Sequence, residues 1–548
     1  MIINTLKSKL ICLFLLTATL TFGQSNTSAL LPLPNHIEQM TGKKNFAITP
    51  KTIVKTNLPE QAFCLAELQR ILSERLDWDI PIKKLQSNAK SVIELCTDPT
   101  MKGEEHYTIE VSENKLSIKG NTQKALFYGL KTLDQILLGD VCNTANRQIA
   151  PIRIDDEPRY GYRALMLDPA RHFLPLEDVK FYIDQMARYK YNTLQLHLTD
   201  DQGWRIEIKA HPGLTKTGAF RNRKTGPNGP DNGFYTQEQL KELVRYAADR
   251  HIEIIPELDI PGHTVAVLAT YPELGCTHTD TLPKEMGKTV NLMLCANNEK
   301  VYSVYDDIIR EIAEIFPSSS IHLGGDEAAI EKNWTRCDRC QLLMKQLGYT
   351  KESQLMNYFF GKILTSVGKY GKKAMLWCEL DNIYMPANEY LFDYPKDVTL
   401  VTWRNGLTPK CIELTGKYGN PLIMAPGEYA YLDYPQLKGD LPEFNNWGMP
   451  VTTLETCYRF DPGYELPDTQ QSHILGICGT LWGEAMKDIN RVTYMTYPRG
   501  LALAEAGWTH MEHRCWDSFK ERMYPNLMNL MKQGVSVRVP FEIVRNVQ

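Results

Sequence analysis

Between residues 163 and 481 the chain repeats one motif: a short apolar run, polar or aromatic residues at its end, then sequence with helical spacing. The runs are Arg163 to Leu167, Thr193 to Leu198, Ile252 to Pro256, Ile321 to Leu323, Ala374 to Trp377, Thr399 to Trp403, Leu422 to Met424 and Ile474 to Leu481. A strand covered by helices on both faces reads as a continuous apolar run, so the alternation predicts parallel βα units. About eight of them in about 350 residues predict a (β/α)8 TIM barrel with enlarged loops. Two of the helices carry strong signals. Thr236 and Gln239 form a capping box before Leu240, Leu243, Val244 and Ala247, and Val301, Tyr305, Ile308, Ile312 and Ile315 make one apolar stripe.

The residues before the barrel have a different texture. Tyr107 to Val111 and Leu116 to Ile118 flank a polar turn and predict a hairpin, and Asn121 is placed to cap a helix with Ala125, Leu130, Leu133 and Leu137 on its apolar face. A small α+β domain is expected over 25–155, the barrel over 156–510, and a last helix and tail over 511–548. The first residues are basic up to Lys9, apolar from Leu10 to Phe22, then small or polar at Gly23, Gln24 and Ser25. That order predicts a signal peptide over 1–24 and an exported protein, periplasmic or secreted, with no membrane attachment after cleavage. Cys12 lies inside the apolar run rather than after a cleavage motif, which argues against a lipid anchor.

A formal net charge of -4 without a long basic run gives no footprint for nucleic acid or an anionic membrane. A neutral substrate is expected. The 13 cysteines lack the regular spacing of a disulfide scaffold. Cys337 and Cys340 form a single Cys-x-x-Cys with no second pair nearby, so a disulfide or two buried thiols is expected there rather than zinc.

In a (β/α)8 barrel the chemistry lies on loops at the carboxyl ends of the strands. Carboxylates, Arg, His and Trp cluster there: Asp168, Arg171 and His172; Asp200, Asp201 and Trp204; Glu257, Asp259 and His263; Asp326 and Glu327; then Trp377, Trp403, Tyr431, Asp433, Trp482 and Glu484. Indole faces stack on the C–H face of a pyranose while carboxylates and Arg bind its hydroxyls, so the pattern predicts a sugar site. Gly324 and Gly325 allow a tight turn that leaves Asp326 and Glu327 side by side at the mouth. Neighbouring carboxylates oppose each other's ionisation, which can keep Glu327 protonated as a general acid. A retaining glycosidase with a protein nucleophile places its two carboxyls about 5 to 5.5 Å apart across the scissile bond, a poor fit to adjacent residues on one loop. The nucleophile is then expected to be the substrate's own 2-acetamido oxygen, with Asp326 steadying its N–H.

With these residues in view, the chain from about Leu31 to Trp508 resembles glycoside hydrolase family 20, the β-N-acetylhexosaminidases. The likeness rests on HLGGDE from His322 to Glu327, LDPARHF from Leu167 to Phe173, HLTDDQGW from His197 to Trp204, PGH from Pro261 to His263, YLD from Tyr431 to Asp433 and LWGE from Leu481 to Glu484. The resemblance implies exo-acting, retaining release of terminal β-linked N-acetylglucosamine or N-acetylgalactosamine from glycans, with no metal or other cofactor. It also implies Asp326 as the residue orienting the acetamido group, Glu327 as acid and then base, and Arg163 and Glu484 as ligands of the sugar hydroxyls. Tyr431 would hold the acetamido carbonyl, Asp433 the far hydroxyls, Trp377 and Trp482 the pocket wall, and Asp200 with His263 would support Glu327. Where the family often has a Trp in the helix before strand five, this chain has Tyr358.

Two other readings are carried along. A metal-dependent barrel hydrolase would use His197, His263, His322 and Asp326. A catalytically inactive glycan-binding protein would keep the pocket and lose turnover. Taken alone, Trp204 and Trp403 are assigned to the core.

Overall fold

The computed structural model describes residues 27–77, 82–84, 91–138, 148–221, 231–277, 292–379, 395–440 and 449–541. The expected signal peptide lies outside the described residues. The chain divides into two compact units: residues up to Arg159 with Trp508–Gly534 and Val539 onward, and Tyr160–Gly507 with Val535–Arg538.

The smaller unit is built on a seven-stranded mixed sheet. Its strands are β1 His36–Gln39, β2 Ile53–Thr56, β3 Ile82–Lys84, β4 Val92–Thr97, β5 Tyr107–Ser112, β6 Lys115–Gly120 and β7 Ile152–Asp156, in the order β1-β7-β5-β6-β4-β2-β3. β5 and β6 pair as the predicted hairpin, with Tyr107, Ile109 and Val111 buried on one face and Glu110 exposed on the other. That alternation is what fixes register when one face must be covered. Helices α1 Phe63–Leu76 and α2 Gln123–Leu138 pack together. The start of α2 departs from expectation: the Thr122 hydroxyl, not Asn121, accepts from the Ala125 amide at 3.1 Å. The helix Trp516–Lys532 belongs to this unit; Arg522 Nη1 donates to Leu30 O at 2.7 Å and Asn526 Nδ2 to Ala29 O at 2.8 Å.

The larger unit is a closed barrel of eight parallel strands. They are β8 Tyr162–Leu167, β9 Thr193–His197, β10 Glu253–Glu257, β11 Ser320–His322, β12 Lys373–Trp377, β13 Thr399–Val401, β14 Leu422–Met424 and β15 Ile474–Leu481, each overlapping one of the predicted apolar runs. β15 returns to pair with β8, from Tyr162 opposite Gly476 to Leu167 opposite Leu481. Ala164, Met166, Ile255, Met375, Val401, Ile423 and Cys478 fill the interior, so the barrel is a packed core with its free space at the strand ends. The outer helices include α3 Leu176–Arg188, α4 Gln237–Asp249, α5 Glu299–Ile315, α6 Asp338–Leu347 and α7 Ser353–Lys369. The capping box forms as predicted, with Gln239 N donating to Thr236 Oγ1 at 3.2 Å and Thr236 N to Gln239 Oε1 at 2.9 Å. Val301, Tyr305, Ile308, Ile312 and Ile315 are the buried face of α5. No helix among the described residues is long and apolar enough to cross a membrane.

Candidate active site

Every barrel strand delivers polar or aromatic side chains at its carboxyl end. After β11 the backbone turns through Gly324 and Gly325, with φ of +64° and +97°, and Glu327 itself has φ +49°. A Cβ on Gly324 would stand 1.9 Å from Asp259 Oδ1, so only glycine fits between this turn and the loop after β10. Asp259 Oδ1 in turn accepts from the Gly325 amide at 3.1 Å. His263, also left-handed at φ +50°, points its Nε2 at both acids, 3.9 Å from Asp326 Oδ2 and 3.7 Å from Glu327 Oε2. Non-glycine residues in this region cost conformational energy, and here two of them face each other.

Below the acids lies a chain of buried charges. His263 Nδ1 meets Asp200 Oδ1 at 3.2 Å, Asp200 Oδ2 meets His197 Nε2 at 2.9 Å and Arg171 Nη2 at 2.8 Å, and His197 Nδ1 lies 3.1 Å from Glu257 Oε2. Glu257 also accepts from Gln195 Nε2 at 2.8 Å and Trp377 Nε1 at 2.9 Å. Burial would raise Asp200, but Arg171, His263 and His197 hold it well below the usual carboxylate range. Burial would lower His263, but Asp200, Asp259 and Asp326 push it well above an ordinary histidine, so it stands as a cation beside the two acids. Burial, reinforced by the charge of Asp326, raises Glu327, with His263 pulling the other way. A carboxyl displaced upward in a pocket is suited to carry a proton near neutral pH.

The far side of the mouth comes from β14 and β15. Trp377 and Trp482 meet at 5.6 Å between ring centroids, Tyr431 lies 6.4 Å from Trp482, and Arg171 stacks 5.1 Å over the Trp482 ring. Asp433 is buried, and neither carboxylate oxygen has a well-formed hydrogen bond; burial and the neighbouring Glu484 push it well above its usual range. Glu484 has Oε1 4.0 Å from Arg171 Nη2, and its Oε2 has no hydrogen-bond partner among the described residues. Buried acceptors left open in this way are costly unless a ligand completes them.

Of the ten residues predicted for the site, nine are brought to this end of the barrel and Arg163 is not. Arg163 is the second residue of β8, at the amino end, where its Nε donates to Lys190 O at 2.9 Å and its Nη1 to Tyr160 O at 2.7 Å. Its guanidinium is spent on main-chain carbonyls. Arg171, three residues beyond Asp168, holds the place expected of Arg163: Nη1 donates to Asp168 Oδ2 at 2.9 Å, and Nε is buried with no hydrogen-bond partner among the described residues. Tyr358, on α7, packs against Tyr302 at 6.4 Å and under Lys362 in the helix layer. Trp204 is fully buried, as expected of a core residue, whereas Trp403 is only half-buried and packs beside Trp482 and Tyr431 at the mouth.

Glu379 and Arg404 are additions that sequence reading missed. Arg404 Nη2 donates to Glu379 Oε2 at 3.4 Å. Burial, together with Asp326 and Glu327, pushes Glu379 up to about 8 against the pull of Arg404. Arg404 directly follows one apolar run and Glu379 stands two residues after another, which was the available signal.

Of the imidazoles in the rival metal-hydrolase reading, His197 lies between Glu257 and Asp200, His263 Nδ1 meets Asp200 at 3.2 Å, and His322 Nδ1 lies 3.2 Å from Glu257 Oε1. A further group, of four thiols, could hold a metal. Cys276 and Cys295 come within reach of Cys337 and Cys340, all four sulfurs lying within 4.8 Å of one another. Cys337 and Cys340 are buried free thiols, one of the two outcomes expected of them, and a second pair that is remote in sequence lies adjacent in space.

Comparison with known proteins follows the same division of the chain. The family model for the glycosyl hydrolase family 20 catalytic domain matches residues 160–511, and that for domain 2 of the same family matches residues 27–157. A beta-hexosaminidase from Akkermansia muciniphila is 36% identical, the match covering 82% of this chain and 89% of that protein. The structure of a family 20 beta-N-acetylhexosaminidase from Streptomyces coelicolor superposes with a TM-score of 0.79 at 28% identity, over 94% of this chain and 98% of that one. An exo beta-N-acetylglucosaminidase from Vibrio harveyi, in complex with N-acetylglucosamine, gives a TM-score of 0.79 at 30% identity, over 96% of this chain and 80% of that one.

Proposed function

The chain belongs to glycosyl hydrolase family 20, and from that premise we propose that it removes terminal β-linked N-acetylglucosamine or N-acetylgalactosamine from the non-reducing ends of glycans, with retention and with the substrate's acetamido group as nucleophile. The observation that carries this reading is the shared orientation of the two acids. Asp326 and Glu327 are consecutive residues on one loop and both face one imidazole nitrogen, at 3.9 and 3.7 Å, which supports their working from one side of the scissile bond.

The chemistry balances without a protein nucleophile. Glu327, protonated, gives its proton to the glycosidic oxygen as the acetamido oxygen attacks C1; the C1–O bond breaks and the aglycone leaves as an alcohol. Asp326 accepts a hydrogen bond from the acetamido N–H and offsets the positive charge of the oxazolinium ring. Glu327, now a carboxylate, takes a proton from the water that attacks C1, and the ring C1–O bond opens to restore the acetamide. Two inversions at C1 give net retention. His263 is the positioning residue for this step: its cationic ring, held by Asp200, stabilises the Glu327 carboxylate after proton transfer.

Trp377 and Trp482 supply the apolar wall for the sugar face, and Tyr431 donates to the acetamido carbonyl. Asp433, Glu484 and Arg171, the last in the role first given to Arg163, bind the hydroxyls through the atoms left open in the protein. The first residues act as an export signal, so the enzyme meets its glycans outside the cytoplasm. Hydrolysis of p-nitrophenyl β-N-acetylglucosaminide beside the matching β-glucoside tests the reading. Turnover of the first alone is expected; equal turnover of both would require a nucleophile on the protein.

A further inference from the structure

Four cysteines from two loops converge beside the barrel mouth. Cys276 Sγ lies 3.7 Å from Cys340 Sγ, and Cys295 Sγ lies 3.7 Å from Cys340 Sγ and 3.9 Å from Cys337 Sγ. Zinc bound tetrahedrally by thiolates at about 2.3 Å sets its sulfurs about 3.8 Å apart; these three separations fall on that edge length, and all four sulfurs lie within 4.8 Å of one another. A disulfide would instead draw two sulfurs to about 2.0 Å. No pair is singled out here: Cys340 is as near to Cys276 as to Cys295.

The main chain around the sulfurs is built to hold this arrangement. Gly275 and Leu294 form an antiparallel bridge, with Cys295 N donating to Leu274 O at 2.9 Å and Cys276 N to Met293 O at 3.3 Å, so the first two thiols stand side by side. Cys337 is the N-cap residue of α6 and Cys340 lies in its first turn, which presents the second two on one helix end. Cross-links fasten the halves: Trp334 Nε1 donates to Leu294 O at 2.9 Å and Arg339 Nη2 to Gly275 O at 2.6 Å. Cys295, Cys337 and Cys340 are buried and Cys276 is half-buried; four thiolates would fill a tetrahedral shell and leave no open position for chemistry. Four thiolates around a divalent ion carry two net negative charges, and Arg339, bonded to the carbonyl of Gly275 next to Cys276, brings a positive charge to the same loop.

We propose that Cys276, Cys295, Cys337 and Cys340 form a structural zinc site that clamps the loop carrying His263 to the loop carrying Glu327. Cys276 follows His263 by thirteen residues and Cys337 follows Glu327 by ten, and Leu294 N donates to Pro261 O at 3.0 Å, two residues from His263. The ion takes no part in the sugar chemistry. On binding, four thiols lose their protons to solvent and four Zn–S bonds form, with no change of oxidation state.

Elemental analysis of the purified full-length protein tests the site, together with colorimetric detection of zinc released when a mercurial reagent blocks the thiols. About one zinc per chain is expected, released in step with thiol modification, and falling to below about one-tenth in the Cys337→Ser/Cys340→Ser double variant. The wild-type release assay decides the matter even if that variant does not fold. Protein without stoichiometric metal, whose four cysteines resist alkylation in denaturant until a reductant is added, would overturn the proposal in favour of two disulfides. One iron per chain in place of zinc would overturn the assignment of the ion.

Discussion

Two buried glutamates, one in each compact unit, are displaced in opposite directions. Glu67 in the small unit accepts from Lys131 Nζ at 2.5 Å and from Arg70 Nη2 at 2.7 Å. Burial would raise it, yet Lys131 and Arg70 bring it down to about 2. Glu379 at the barrel mouth has one distant cation, Arg404, and two acidic neighbours, and burial with their help takes it up to about 8. The same contrast runs through both regions. Asp134 is paired with Arg75 at 2.7 Å, and Asp156 accepts from Tyr107 at 2.6 Å, whereas Asp326, Glu379, Asp433 and Glu484 each keep an oxygen that no described residue satisfies. Carboxyls paired with buried cations stay ionised and are costly to unpair, whereas carboxyls buried and left open are pushed toward the neutral form and are available to a ligand.

Substitutions at the two places should therefore separate activity from stability. The largest effect is expected for Glu327→Gln, which lowers kcat/KM on glycans with poor leaving groups by about 10²–10⁴-fold while leaving the thermal midpoint unchanged or higher. It should also erase the alkaline limb of the pH profile: the acid must be protonated, its raised pKa carries that form to higher pH, and activity falls as pH rises through it. Asp326→Asn should slow formation of the cyclic intermediate by about 10²–10³-fold, read in single-turnover kinetics.

Glu67→Gln should do the reverse, costing about 3–5 kcal/mol in denaturant unfolding because Lys131 stays buried without its partner, with kcat per folded molecule unchanged. Arg171→Lys should reduce kcat/KM by about 10- to 100-fold, mainly through KM, while Arg163→Lys lowers the thermal midpoint and leaves KM alone.

The last effect is on the pH dependence of stability. Glu379 is protonated in the folded state up to about 8, so ionisation there opposes folding. Its contribution to stability is present below about pH 4.5 and is lost as pH rises to about 8. Glu379→Gln should flatten the fall in Tm over that window. Glu67 works on the acid side, where its contribution is lost as pH falls from about 4.5 through about 2.

The barrel was legible because its strands are covered on both faces and announce themselves as apolar runs, and because α4 begins with a capping box whose two partners are three residues apart. What depends on the direction of a strand was read less well. Arg163 and Arg171 lie close together in sequence, but Arg163 opens its strand and Arg171 follows its end, so only the second can reach the mouth. The same rule, applied to the runs ending at Trp377 and Trp403, would have found Glu379 and Arg404. Other features had no local signal. The four cysteines come from segments brought together only by the fold, and the helix Trp516–Lys532 joins the small unit through Ala29 and Leu30, hydrogen-bonded across nearly the whole length of the chain.

The central claim is that the substrate's acetamido oxygen, not a carboxylate of the protein, attacks C1. The most direct test is kcat/KM on p-nitrophenyl β-N-acetylglucosaminide and on its mono-, di- and trifluoroacetyl analogues, which differ only in the nucleophilicity of that oxygen. A steep, graded fall with each added fluorine is predicted; rates independent of fluorination would contradict the account and point to a nucleophile among the residues of the mouth.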